Sequence, residues 1–173
     1  MTPEITIAAD AGEDVARLRA FSRSLPMALL RCREAVMSRF RPILRAHCSS
    51  EQQWRILRAL TSDGPMRASD LAADTLLSSP SLSRLLKSLA AKGLIRRATS
   101  AEDLRAARIS ITGKGRRLVD EIAPMSEAIY AEISAAIGAR QLEELYRTLA
   151  VTTTRLGPCV HPADDPGCDS DLS

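Results

Sequence analysis

The stretch TSAEDLRAARISITGKG, Thr99–Gly115, decides how this chain is read. Its second half contains ARISIT (107–112), where apolar and polar residues alternate with the period of a half-buried strand. LIRRAT (94–99) supplies a matching arm, and SAEDLR (100–105) is a polar loop between them. Two short extended arms around a polar tip predict a β-hairpin. Arg105 and Arg108 belong to the end of that hairpin. Asp103 either initiates the turn or pairs with Arg105 and holds that side chain extended.

The residues before the hairpin read as helices. Leu82, Leu85, Leu86 and Leu89 form an i, i+3, i+4, i+7 stripe, with Ser79 as N-cap, Pro80 at the first helical position and Gly93 at the end. Its other face carries Ser81, Ser83, Arg84, Lys87 and Ser88. A shorter helix, capped by Ser69 and carrying Leu71 and Leu76, precedes it. A short helix, a tight turn and an amphipathic helix with hydroxyls and cations outward predict a helix-turn-helix. With the hairpin immediately after it, the whole becomes a winged helix-turn-helix. Arg105 and Arg108 are then placed for a minor groove or phosphates, and Arg96 and Arg97 add phosphate contacts.

Farther out, Ser50 reads as the N-cap of a helix holding Glu51, Trp54, Ile56, Leu57 and Leu60, and SDGP (62–65) as a turn. Leu25, Leu29, Cys32, Val36, Phe40 and Ile43 recur every three or four residues; Pro26 marks a kink or start and Pro42 a weak end. Beyond Gly115 the helical period resumes through Leu118, Ile122, Met125, Ile129, Ile133 and Ile137, with a kink expected at Pro124. Gly138 breaks it, and Leu142, Leu145 and Leu149 carry a last helix to about Leu156.

These terminal stripes exceed what a small winged domain can bury, and a second copy of the chain is the simplest cover. The expected fold is therefore mainly α with a small β-hairpin wing, a winged helix-turn-helix dimer with N- and C-terminal dimerisation helices. Residues 1–12 are expected to be a flexible N-terminus, 13–48 and 115–156 the helical dimerisation region, 49–114 the DNA-binding domain, and 157–173 a disordered acidic tail.

Composition agrees. The chain has 173 residues, 45% of them hydrophobic, enough for one globular domain with a core. The net charge is +3, unevenly spread. The last 17 residues hold four Asp and no Lys or Arg, whereas Arg84–Arg117 holds ten basic residues against two acids. Such a block suits double-stranded DNA, a pseudo-palindromic operator in the case of a two-fold dimer. The N-terminus has no signal-peptide pattern and no apolar run suits a membrane, so a cytoplasmic protein without membrane partners is expected. Cys32, Cys48, Cys159 and Cys168 show no CxxC spacing and read as reduced thiols. There is no nucleophile motif, no Gly-rich phosphate loop and no metal constellation; neither an enzyme nor a metal or cofactor is expected. A helical interaction module without DNA is the alternative outside the regulator class.

The motifs SEQQWRIL (50–57), LSSPSLSRLLKSLAAKGLIRR (77–97) and EDLRAARISITGKG (102–115) together resemble the MarR family of dimeric winged-helix transcription factors. The last resembles that family's wing signature, here Asp103, Arg105, Ile111, Thr112 and Gly115. Ala106 and Ala107 depart from it, standing where many members carry a basic or bulky residue. SLPMALLRCREAVMSRFRPIL (24–44) with SSEQQWRIL (49–57) is similar to the branch of homoprotocatechuate- and nicotinate-degradation repressors. That resemblance implies a repressor of catabolic genes relieved by a small aromatic or heteroaromatic acid, such as 6-hydroxynicotinate or homoprotocatechuate. It also implies an arginine in the first helix for the ligand carboxylate, Arg33 first and Arg31 second, because a guanidinium holds a carboxylate bidentately. Ser24, Met27, Met37, His47 and Trp54 are the expected walls. Within the same family, a thiol redox sensor acting through Cys32 is the alternative, opposed by the apolar stripe on which Cys32 lies.

Overall fold

The computed structural model describes residues 20–100 and 103–157, for Ser22, 99–100 and 103–107 as backbone only. The expected N-terminal segment 1–12, the tail beyond Gly157, and the Asp103–Arg105 pairing lie outside the described residues or side chains. The chain forms two compact units, 1–35 and 36–173.

The first unit holds a 3₁₀ turn at Phe21–Arg23 and the first turns of α1 (Leu25–Ala46), so Pro26 sits at the helix start. There the Arg31 guanidinium lies 5.6 Å from the centre of the Phe21 ring, and Arg33 pairs with Glu34 at 2.7 Å. Cys32 is exposed in the single chain, as are Leu25, Leu29 and Leu30.

In the second unit α1 runs through Pro42 to Ala46 instead of ending weakly there. An interior proline costs about 3 kcal/mol. Phe40 and Leu44 on either side are buried, and each contributes about 1.5–3 kcal/mol, which offsets it. α2 (Glu51–Ser62) starts at a full capping box: the Ser50 hydroxyl accepts from Gln53 N–H, and Gln53 Oε1 accepts from Ser50 N–H, both at 3.2 Å.

A two-residue strand that alternation could not reveal, β1 (Met66–Arg67), then leads into α3 (Ala68–Thr75). The strand sets the helix start, so Arg67 takes the N-cap position. Ser69 falls in the first turn with its hydroxyl on Asp70 Oδ1, correcting its expected capping role. α4 (Ser79–Ala91) follows with Ser78 as N-cap, one residue earlier than expected, and Gly93 beyond its end at φ +70°.

β2 (Ile95–Ser100) and β3 (Asp103–Ile111) make the hairpin, and the sheet order β1-β3-β2 puts β3 in the middle. All pairs are antiparallel, with Ile95 opposite Ile111, Arg97 opposite Ile109, and Arg67 opposite Arg108. The expected loop SAEDLR is largely strand. The register slips between Ala98 and Ser100, so pairing continues through residues whose side chains break the alternation.

α5 (Gly113–Ile137) begins where the motif Ile-Thr-x-x-Gly closes the wing. The Thr112 hydroxyl accepts from Gly115 N–H at 3.1 Å and donates to the Gly93 carbonyl at 2.7 Å. A Cβ on Gly115 would run into the Leu94 carbonyl oxygen, so only glycine allows the helix start to pack on the α4–β2 connection. α5 passes unbroken through Pro124, Gly138 at φ +92° ends it, and α6 (Ala139–Leu156) follows.

One core cluster joins α2, α3, α4 and the sheet around Ile56, Leu57, Leu71, Leu86, Leu89 and Ile109. A second joins α1 and α5 through Phe40, Leu44, Ile122, Ile129 and Ile133. Trp54 and Leu118 pack against both. α6 buries none of its residues and exposes Tyr146, Leu149, Val151 and Leu156.

Candidate nucleic-acid interface

Helix α4 presents two unlike faces because Leu82, Leu86 and Leu89 are pulled into the core. At about 100° per residue, Arg84 and Lys87 lie opposite that stripe, Ser83 lies on its flank, and Ser79 stands in the first turn near the Leu86 side. All four are exposed. Ser81 and Ser88 point sideways instead: Ser78 donates to the Ser81 hydroxyl at 2.9 Å, and Gln53 Nε2 donates to the Ser88 hydroxyl at 3.2 Å. The expected face is thus divided: Ser81 is half-buried and already partnered.

The two arginines that begin the wing separate in the same way. Successive strand residues point to opposite faces. Arg97 lies opposite buried Ile109, on the inner face, and lines a groove of about 350 Å³ with Ser69, Ser79 and Ser83. Arg96 lies on the outer face, its Nε donating to the Ser110 hydroxyl at 3.0 Å. Arg108 shares that outer face and donates to the Pro65 carbonyl at 3.3 Å. It pairs with Ala98 and Arg67, five residues along β3 from Asp103 and about 16 Å from the tip at ~3.3 Å per residue. The outer face therefore carries Arg67, Arg96 and Arg108, all exposed. Arg67 was missed by sequence reading, since β1 is too short to leave a pattern; Ser69 was read as a cap.

The candidate effector residues fall in both units. In the first, Ser24 and Met27 are half-buried, Arg31 stacks on Phe21, and Arg33 pairs with Glu34. In the second, Met37 packs against the α1–α5 core. The His47 ring is held by Nδ1–H donating to the Ile43 carbonyl at 2.7 Å. Trp54 is half-buried with the Arg58 guanidinium 5.9 Å above its ring. Among the described residues no group of three or more His, Cys, Asp or Glu could hold a metal, and no helix is long and apolar enough to cross a membrane.

With that geometry in place, comparison with known proteins is informative. Residues 50–106, from the α2 cap to the wing, match the MarR family model. The homoprotocatechuate degradative operon repressor of Escherichia coli is 38% identical over 126 residues, covering 73% of this chain and 85% of that protein. The crystal structure of transcriptional regulator PA4135 superposes with a TM-score of 0.74 at 33% identity, over 78% of this chain and 98% of the other. NadR in complex with 4-hydroxyphenylacetate superposes with a TM-score of 0.69 at 31% identity, over 79% and 97%. A polar, cationic face on α4, an arginine-bearing three-stranded sheet and relatives matched over most of their length lead to one conclusion: this chain belongs to the MarR family of transcriptional regulators.

Proposed function

We propose that the protein is a cytoplasmic, homodimeric repressor that binds a pseudo-palindromic operator and releases it when a small aromatic or heteroaromatic acid binds. The observation that carries the reading is α4, anchored by three buried leucines and presenting Ser79, Ser83, Arg84 and Lys87 outward. These residues read the major groove, while Arg96, Arg97 and Arg108, with Arg105 on the wing, hold phosphates or the minor groove and Asp103 holds the Arg105 side chain extended. Ser81 reaches a base only by leaving Ser78.

The dimer is supported by apolar residues left exposed on single elements: Tyr146, Leu149 and Leu156 of α6, and Leu25 and Leu29 of α1. A two-fold pair would set its reading helices about 34 Å apart, one turn of the duplex. The ligand class is supported by a relative that represses a homoprotocatechuate operon and another solved with 4-hydroxyphenylacetate. In this reading Arg33, with Arg31 second, holds the carboxylate. Ser24, Met27, Met37, His47 and Trp54 wall the ring. The acid relieves repression of catabolic genes only if it binds the operator-incompetent state more tightly.

Fluorescence anisotropy with a fragment from upstream of the protein's own gene tests this, with and without 6-hydroxynicotinate or homoprotocatechuate. Binding released by one acid is the expected result. Binding indifferent to both overturns the ligand assignment, and absence of binding at low salt overturns the DNA assignment. The second reading is a thiol sensor acting through Cys32, whose thiol is exposed in the single chain on the α1 stripe that the dimer reading covers.

A further inference from the structure

A cleft of about 340 Å³ lies at the far end of α4 from the residues assigned to DNA. Four segments meet there: the end of α1 at His47 and Cys48, the α2 cap at Gln53, the α4–β2 connection, and the first turns of α5. Its cations are Lys92, Lys114 and Arg117, against one carboxylate, Glu121. Leu94 and Leu118 give it an apolar wall. A concave cleft of this size, part apolar with convergent charged groups, is the usual form of a small-molecule site.

Two of the three cations are held in position. Lys92 Nζ donates to the Cys48 carbonyl at 2.8 Å and to Gln53 Oε1 at 3.4 Å, and Lys114 Nζ donates to the Lys92 carbonyl at 2.9 Å. Each ammonium has three donors, so both keep N–H groups for a ligand. Arg117 and Glu121 stand one turn apart on α5, yet among the described residues Arg117 pairs with no carboxylate. Anchored cations lose less side-chain entropy on meeting an anion than freely moving surface lysines do. Cations that outnumber the carboxylate, beside an apolar wall, suit an anion carrying two charges on a compact ring.

We propose that this cleft binds a small aromatic dianion, a dicarboxylate or an aryl phosphate, with its charges on Lys92, Lys114 and Arg117 and its ring against Leu94 and Leu118. The site shares no arginine with the acid site assigned to Arg33, and His47 alone belongs to both. It does not depend on the operator reading, since binding is measured without DNA.

The test is isothermal titration calorimetry of the full chain with phthalate, phenyl phosphate, benzoate and inorganic phosphate. A dianionic ring is expected to bind at least about tenfold more tightly than benzoate or inorganic phosphate. The tighter of phthalate and phenyl phosphate identifies the carboxylate or phosphate source. Arg117→Gln, at an exposed position, and Lys114→Gln should each weaken binding about tenfold or more. Saturation should also slow alkylation of Cys48 by iodoacetamide, followed peptide by peptide, and leave Cys32 unchanged. Absence of binding by either dianion overturns the proposal. So does equal affinity for benzoate, unchanged binding in both variants, or an unprotected Cys48.

Discussion

Gln53 Nε2 donates to the Ser88 hydroxyl at 3.2 Å, tying the capped start of α2 to the flank of α4. The same side chain closes the capping box through Oε1 and accepts from Lys92. At 8% exposure it is one of the few buried polar groups among the described residues, and each of its polar atoms has a partner. The orientation of the helix assigned to the major groove thus depends on a glutamine 35 residues upstream.

Replacing that residue separates a structural from a DNA-contacting role. Gln53→Ala removes one arm of the cap and a buried hydrogen bond, an expected loss of about 1–3 kcal/mol. Urea denaturation should show a lower midpoint with an unchanged slope. Ser88→Ala should cost about 1 kcal/mol, because the Gln53 amide loses a partner. A change below about 0.5 kcal/mol for Gln53→Ala would mean the link carries no stability.

Gly115→Ala tests the closure of the wing. The added methyl meets the Leu94 carbonyl oxygen and the Ile111 side chain, and backbone cannot move aside as a flexible side chain can. The expected destabilisation is about 3 kcal/mol, at the upper end for overpacking. Thr112→Ala, which removes the cap on Gly115 N–H, should cost about 1 kcal/mol. Thermal melts of the two variants check the order; a milder effect at Gly115 contradicts the close approach.

Contacts with DNA should divide by face. Arg84→Ala is expected to lose about 1–3 kcal/mol and to relax preference at one base position. Arg108→Ala and Arg67→Ala on the outer sheet face should weaken all sequences alike and reduce the salt slope by about 1 each. The wild-type complex, neutralising about 6–10 phosphates, should lose about 10³–10⁵ in affinity between ~50 and ~200 mM salt. Salt-independent binding in anisotropy titrations contradicts a DNA interface of this kind.

Effector and redox readings separate with two variants. Arg33→Ala should keep operator affinity within about threefold and lose release by the acid, since a carboxylate held by a guanidinium forfeits about 1.5–3 kcal/mol. Cys32→Ser should respond to acid like wild type. If peroxide releases the wild type but not Cys32→Ser, the trigger is the thiol.

Much of this fold is legible in the chain because its information is local. The stripe of Leu82, Leu86 and Leu89, the cap at Ser50 and the breaks at Gly93 and Gly138 are set by periodicity and by backbone conformations within a few residues. The wing motif is legible for the same reason, with Thr112 and Gly115 three residues apart on a helix start. Of the candidate reading residues, Ser83, Arg84 and Lys87 follow from that one periodicity, whereas Ser79 reads as the cap.

What only the tertiary structure decided is which groups meet across long separations. β1 exists because β3 offers Ile109 and Arg108 as partners to Met66 and Arg67; two residues alone carry no pattern. Arg96 and Arg97 look equivalent in sequence, yet strand geometry sends one outward to Ser110 and the other into the groove beside Ser83. Ser81 matches Ser83 in type, but its place on the helix turns it to Ser78. The cleft joining Cys48, Gln53, Lys92 and Arg117 spans some seventy residues of chain. By itself the sequence determined where the chain coils and turns, because those preferences act between neighbours. Packing decided which side chains converge, because that depends on elements distant in sequence being buried against one another.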